Sequence, residues 1–413
     1  MKMDATTPKF YVLLSLPAVM LFLAVLLDRP GNIVRGLEAI VLHSDVLLVD
    51  YIAVGGIGAA LVNSAILTLA NIYILWRLRI EPTGPIIAAV LTIAGFAFMG
   101  KNIVNIWPIY LGGYIYTRYK GTPFKSVILI MMFATTLSPL VTELFLNKSL
   151  GFAAPFVALL GGALVGFIMI PLSAHMLRVH DGYNLYNIGF TGGLLGGVLM
   201  AIKRGFGIET RGQLILSSQY DVPLKLMMLL FSLLFLILGF HMNRKSFRGY
   251  RRVLALNGRI VTDFVQLEGF GISLVNMGVM GLLGLGTVAL AGSPVNGPVV
   301  AGILTVMGFA AFGKHPLNSL PVIAGVFLGE LLIFRNVNPT ILAITALFGT
   351  TLAPVAGSFG PLVGVVAGLL HMFVVLNVGY LHGGINLYNN GFSGGIVAAI
   401  LVPILRAFER EVR

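Results

Sequence analysis

Long apolar runs separated by short polar loops set the pattern of this chain. Residues 10–27 carry no charge, and residues 222–240 carry only Lys225. Runs of about 20 apolar residues match the helical length that crosses a hydrocarbon core, and none shows the apolar and polar alternation of a barrel strand. In the first half the pattern predicts spans over residues 10–27, 51–76, 127–146, 152–176 and 185–202. Residues 10–27 are read as the first span because Asp28-Arg29-Pro30, rather than a small-residue cleavage site, follows them. The remaining apolar segment, residues 85–116, is interrupted in its middle by polar residues, so it is expected to be a re-entrant or broken helix.

The pattern occurs twice. Asn276 follows Asn63 by 213 positions, and the same offset pairs Arg35 with Arg248, Asp50 with Asp263, Gly58 with Gly271, Pro85 with Pro298 and Pro108 with Pro321. Small loop insertions change the offset to 215 for Thr135-Thr136-Leu137-Ser138-Pro139 against Thr350-Thr351-Leu352-Ala353-Pro354. Residues 1–217 and 218–413 are therefore read as two membrane repeats, joined by a polar loop near residues 203–221. The expected fold is an all-α polytopic membrane protein of two inverted-topology repeats. Each repeat holds about five transmembrane helices plus a re-entrant or broken helix.

The inverted arrangement comes from charge. Arg244, Lys245, Arg248, Arg251, Arg252 and Arg259 crowd the loop after the first span of the second half, which assigns it to the cytoplasm. The matching first-half loop sets Arg29 and Arg35 against Asp28, Glu38, Asp45 and Asp50 and is expected outside. Equivalent loops on opposite sides require an odd number of crossings per half and put both termini in the cytoplasm of a cell with a bacterial-type inner membrane. The formal charge of +12 is thereby absorbed by topology, and nucleic acid is not an expected partner. Composition agrees, with 57% hydrophobic and 10% charged residues and 51 glycines. The absence of cysteine removes disulfides and thiolate chemistry, and no metal site or cofactor is expected.

Candidate chemistry sits where the pattern breaks. Gly100-Lys101-Asn102-Ile103-Val104-Asn105-Ile106-Trp107-Pro108 answers to Gly313-Lys314-His315-Pro316-Leu317-Asn318-Ser319-Leu320-Pro321. A cation and a broken backbone cannot face lipid, so each break must line protein or water, where half-helix ends and an ammonium suit an anionic group. Lys101, Asn102, Asn105, Lys314, His315 and Asn318 are the first candidates for substrate binding. The alternative is that each lysine snorkels to an interface.

A second element reads Asn-Leu-Tyr-Asn-x-Gly-Phe-Thr/Ser-Gly-Gly and opens a helix. Its Asn184, Asn187, Asn386 and Asn389 suit a polar solute or, equally, the caps of a broken helix. His180 and His382 precede it and are candidate pH-responsive gates, or loop histidines at the interface. Thr135, Thr136, Thr350 and Thr351 offer hydroxyls to an ion such as sodium, or to carbonyls freed by Pro139 and Pro354, and the latter is preferred. Asn63 and Asn276 are expected to bond between helices or to line a pore with their amides, Asp50 and Asp263 to sit at membrane edges beside Arg35 and Arg248, and His371 and Glu330 to be candidates for proton coupling.

The paired Gly-Lys-x-x-x-Asn-x-x-Pro and Asn-Leu-Tyr-Asn segments make the chain resemble an uncharacterised bacterial family of tandem-repeat integral membrane proteins. The resemblance covers nearly the whole length. A fainter similarity to urea transporters lies in Leu61-Val62-Asn63, Leu274-Val275-Asn276-Met277-Gly278 and Leu320-Pro321. It implies two inverted halves of five spans with a half-helix. The chain departs from that family in the lysine after Gly100 and Gly313 and in lacking the longer Leu-Pro-x-x-Thr-x-Pro-Phe signature, so the similarity extends to architecture alone.

Duplication, breaks and paired lysines together point to a transporter or channel for a small polar or anionic solute, with membrane lipid around it. A proton or sodium coupling ion and a homo-oligomer are compatible partners. A scaffold or subunit of a membrane complex is the second reading. An intramembrane enzyme is the third, and it lacks a Ser-His pair, a His-x-x-x-His or an Asp dyad at useful spacing.

Overall fold

A computed structural model describes residues 7–207, 210, 212–334 and 336–408. Those residues form helices and connecting turns, with no strand among them. The first half contains α1 (Thr7–Leu27), α2 (Pro30–Val41), α3 (Tyr51–Arg77), α4 (Gly84–Phe96), α5 (Trp107–Lys120), α6 (Ile128–Ala134), α7 (Ser138–Phe145), α8 (Ala154–Val179) and α9 (Asn187–Gly205). The second contains α10 (Asp221–Met242), α11 (Tyr250–Ala255), α12 (Phe264–Leu267), α13 (Phe270–Leu290), α14 (Gly297–Phe309), α15 (Pro316–Gly329), α16 (Pro339–Gly349), α17 (Ala353–Phe359), α18 (Pro361–Val378) and α19 (Asn389–Phe408). Proline opens many of them, as at Pro85, Pro108, Pro298 and Pro361, because the first turn needs no N–H from that residue.

Nine helical stretches among the described residues are long and apolar enough to span a membrane, the pattern of a multi-pass membrane protein. The expected span over residues 185–202 forms α9, of 19 residues, which ends in Lys203, Arg204 and Gly205 and is not among the nine. Leucine, valine and phenylalanine side chains stand exposed along α1 and α10, as at Phe22, Val25, Leu226 and Leu230. Such faces suit lipid. Between α1 and α3 lies α2, whose apolar residues gather on one side, with Ile33, Gly36 and Ile40 buried against α3.

The core is a pair of short helices. Every residue of α14 is buried, and so is every residue of α4 except Pro85. Helices apolar on all sides have no solvent face to offer and belong inside. They pack antiparallel and in close contact: a Cβ on Gly95 would lie 2.8 Å from the Ala301 Cα, and one on Gly308 would lie 3.0 Å from the Ala88 Cα. A side chain at either glycine would meet backbone, so the approach depends on both. Around this pair, α3, α6, α13 and α16 form an inner layer, while α5 on α8, α15 on α18 and α9 on α19 complete the bundle.

Candidate functional site

Each central helix stops at a polar break. Helix α4 ends at Phe96, and the chain resumes helix only at Trp107; α14 ends at Phe309 and resumes at Pro316. Gly100 turns the first break with φ of 81°, a left-handed conformation that favours glycine. The carbonyls exposed by stopping a helix in the interior need donors, and asparagine supplies them. Asn63 donates from its amide nitrogen to the carbonyls of Ala97 (2.7 Å) and Lys101 (2.8 Å), and Asn276 repeats this on Ala310 (2.8 Å) and Lys314 (2.7 Å). Asn105 and Asn318 reach back to the carbonyls of Gly100 and Gly313, both at 3.0 Å. Asn102 and His315 accept backbone N–H bonds from the turn that follows them. These six side chains thus hold the breaks in shape.

The lysines do not snorkel. Lys101 and Lys314 have no exposed surface, and each amine lies under a tyrosine from the other half of the chain. Lys101 Nζ donates to the Tyr388 hydroxyl at 2.6 Å, with the rings of Tyr388 and Phe96 centred 4.8 and 5.5 Å away. Lys314 Nζ donates to the Tyr186 hydroxyl at 2.5 Å and to Thr350 Oγ1 at 2.8 Å, with the rings of Tyr186 and Phe309 at 4.4 and 5.2 Å. No carboxylate among the described residues lies within 4.0 Å of either amine. A ring face and a phenol oxygen recover only part of the hydration an ammonium loses on burial, which in proteins costs several kcal/mol. The two aromatic cages also touch. Tyr388 meets Phe96 at 4.6 Å between centroids, Phe96 meets Phe348 at 5.4 Å, and Phe348 meets Tyr186 at 6.3 Å.

The Asn-Leu-Tyr-Asn element positions those tyrosines. Asn184 donates to the Gly391 carbonyl (3.0 Å) and accepts from Thr351 Oγ1 (2.6 Å); Asn386 donates to the Gly189 carbonyl (3.1 Å) and accepts from Thr136 Oγ1 (2.7 Å). Thr136 and Thr351 therefore tie the halves together, whereas Thr135 and Thr350 return their hydroxyls to the carbonyls of Met132 and Leu347 within their own helices. Asn187 and Asn389 begin α9 and α19, and each accepts a contact from a histidine, His180 or His382, at 2.9 Å. Both imidazoles are buried rather than exposed in an interfacial loop, and burial pushes both below the ordinary histidine range despite the opposing amide bond.

A cavity of about 430 Å³ lies beside this arrangement, bounded by both halves. Its walls come from α4, α6 and α8, from the first asparagine element, and from α14, Phe348, Leu387, Tyr388, Asn390 and Gly391 of the second half. Val261, 83% exposed, stands at its rim. A second recess, of about 630 Å³, is lined by His382 and Asn389 together with Arg204, Gly207, Thr210 and Gly212. The first cavity takes in Asn187 and both tyrosines, while Asn102, His315, Asn105 and Asn318 stand away from it.

Comparison with known proteins matches a family model described as protein of unknown function DUF1576 over residues 29–205 and 242–407. The chain belongs to the DUF1576 family. No curated protein and no solved structure matches it.

Two features of this DUF1576 chain lie outside what the sequence patterns predicted. The carboxylate of Asp45 is buried at the first break, accepting from Thr142 and Tyr51 at 2.5 Å, Asn105 at 2.8 Å and Asn102 at 3.2 Å. Burial pushes it from the usual carboxylate value up to about 7, against those hydrogen bonds. At the 213 offset its place is taken by Gly258, where a Cβ would fall 2.0 Å from the Gly313 carbonyl oxygen. Asp45 therefore has no acidic counterpart at the equivalent position of the second half. The other feature corrects an expectation: Asp50 and Asp263 do not pair with Arg35 and Arg248. Asp263 accepts from the N–H of Gly84, at the start of α4, while capping its own α12, and Asp50 takes the corresponding place at Gly297 while capping α3. An aspartate at the N-terminus of a buried half-helix meets the positive end of its dipole, which outcompetes an exposed arginine. Arg35 instead bonds Asn32 and the Gly31 carbonyl. His371 is buried between Asn390 and Ser393, and Glu330 accepts from the Asn336 N–H.

Proposed function

We propose that this protein moves a small anionic solute across a bacterial-type inner membrane, through a pathway at the interface of two inverted repeats. The observation that carries this reading is the pair of lysine amines at the mid-span breaks. Each is buried without a carboxylate partner among the described residues and lidded by the other half's tyrosine. An arriving anion supplies the counter-charge that neither cage contains, and two equivalent cages in one bundle suit passage rather than a single fixed reaction.

The inverted arrangement is supported by helix directions. Copies related by an axis along the membrane normal keep equivalent helices parallel, whereas an axis in the membrane plane makes them antiparallel. Helices α4 and α14 are antiparallel, with Gly95 against Ala301 and Gly308 against Ala88. The starts of α9 and α19 cross reciprocally, with Gly193 against Phe392 and Gly395 against Phe190. The cavity at Asn187 and the recess at Asn389 then serve as two mouths of one route. In this reading both termini are cytoplasmic.

The test is flux of labelled or fluorescence-reported anions into proteoliposomes. Wild-type protein should pass at least one anion, and Lys101→Ala and Lys314→Ala should reduce that flux far more than Arg77→Ala. Folded protein that passes no anion under any gradient would overturn the proposal. Cysteine labelling supplies the topological arm: positions 35 and 248 should react from opposite sides, and labelling from one side would remove the inverted repeat.

A further inference from the structure

The size and lining of the cavity bear on which anion is carried. A volume of about 430 Å³ falls in the range of sites for organic molecules and far exceeds a bare inorganic ion. Its walls are chiefly aromatic and aliphatic, including Phe96, Phe133, Phe309, Phe348, Leu177 and Ile188. A halide, or an anion as small as acetate, would leave most of that surface unfilled.

The polar groups on the lining are few, and one of them lacks a partner. Thr92 and Thr305 occupy equivalent places, 213 positions apart, and both line the cavity. Thr92 Oγ1 donates to the Ala88 carbonyl at 2.7 Å, the usual return bond of a threonine inside a helix. Thr305 is 2% exposed, and its hydroxyl makes no hydrogen bond. A buried hydroxyl without a partner is costly, and Thr305 is one of the residues that line the empty volume. Nearby, Tyr388 accepts from the Lys101 amine, which leaves its own O–H polarised as a donor, while Tyr186 accepts from Lys314 and also bonds Thr350. Asn390, also on the lining, gives its carbonyl oxygen to His371 and keeps its amide N–H groups for another acceptor. Hydroxyl, phenol and amide donors thus share the lining of an apolar chamber, and each lysine amine stands behind one of its phenols rather than on the lining.

We infer that the cavity binds an organic monocarboxylate with an aromatic or compact apolar body, its carboxylate taken by these donors and its body by the phenylalanine walls. This rests on the transport reading for its role, since it takes the cavity to be the substrate's place of rest, but binding is measurable without flux.

The experiment is calorimetric titration of the purified full chain in nanodiscs with 3-phenylpropionate, its neutral amide, acetate and chloride. Phenylpropionate should bind saturably, with acetate and chloride weaker by at least about tenfold for want of a buried ring. The amide should be weaker as well, because it lacks the charge. Thr305→Val, nearly isosteric, should raise the melting temperature of the ligand-free protein and weaken phenylpropionate about 3- to 10-fold, the value of one hydrogen bond. Thr305→Ser should restore the affinity, and Thr92→Val should leave it within about twofold, its hydroxyl being committed to Ala88. Equal affinity for acetate and phenylpropionate, or no loss in Thr305→Val, would overturn the inference. Displacement by long-chain lipids whatever their headgroup would make the cavity an acyl slot and overturn it too. The two proposals fail separately: flux of chloride without phenylpropionate binding removes this inference alone, and phenylpropionate binding without flux of any anion removes transport alone.

Discussion

Replacing Lys101 with methionine separates a functional amine from a structural one. The wild-type amine has one hydrogen bond to a phenol oxygen and two ring faces, and it has lost its water. The hydrogen bond of a charged donor contributes about 1.5–3 kcal/mol, and each ring contact about 0.5–2 kcal/mol. Against these stands a desolvation cost of several kcal/mol, and the opposed terms nearly cancel. Methionine has similar length, fills the same volume and carries no charge, so Lys101→Met should leave the melting temperature of the detergent-solubilised protein unchanged or raise it. Anion flux in proteoliposomes should nevertheless be lost. Tyr388→Phe should behave in the opposite way: it strips the amine of its acceptor and should destabilise by about 1–3 kcal/mol. Adding Lys101→Met to Tyr388→Phe should recover that loss, because no amine is left to satisfy. If Lys101→Met instead cost about 2–5 kcal/mol, as a large-to-small core deletion does, the lysine would be a structural strut and the transport argument would lose its basis.

Three further outcomes follow from other sites. Asp45 has a carboxyl raised to about 7 in the folded protein against an ordinary value of 3.8, so stability should be greatest below about pH 4 and decline as pH rises to about 7. Thermal unfolding across that window should show the decline in wild-type protein and a flatter profile in Asp45→Asn; identical profiles would refute it. Gly95→Ala places a Cβ 2.8 Å from the Ala301 Cα and should cost about 1–3 kcal/mol by prising α4 from α14, read as a lower melting temperature. Asn184→Leu and Asn386→Leu each remove donors and acceptors that cross between the halves and should each cost about 1–3 kcal/mol, measured in the same assay.

Much of the helical layout was legible because apolar periodicity and proline placement are local signals. The breaks at Gly100 and Gly313, the helix starts at Asn187 and Asn389, and the cross-helix roles of Asn63 and Asn276 all follow from which residues interrupt an apolar run. The site was legible only in part. Lys101 was a candidate from the start, but its tyrosine lies 287 positions away, and no periodicity relates the two. Tyr186 and Tyr388 stand inside the Asn-Leu-Tyr-Asn segments, where asparagine has the more obvious donor and acceptor capacity, although the tyrosine recurs in both segments. Asp45 was counted as one charge among several in a loop. Its distinguishing mark was available, since the other copy has Gly258 there, yet that the loop turns inward to the break is a fact of packing. Asp50 and Asp263 were misassigned for a similar reason: an arginine close in sequence was visible, and a half-helix N-terminus in the other half was not.

The exchange of lids between the halves has a consequence for how such a chain can change. Because Tyr388 covers the first lysine and Tyr186 the second, neither half holds a finished cage of its own. Any rocking of one half against the other must strain both contacts in the same movement. In the transport cycle proposed above the two lids are therefore mechanically geared, and neither opens without disturbing the other.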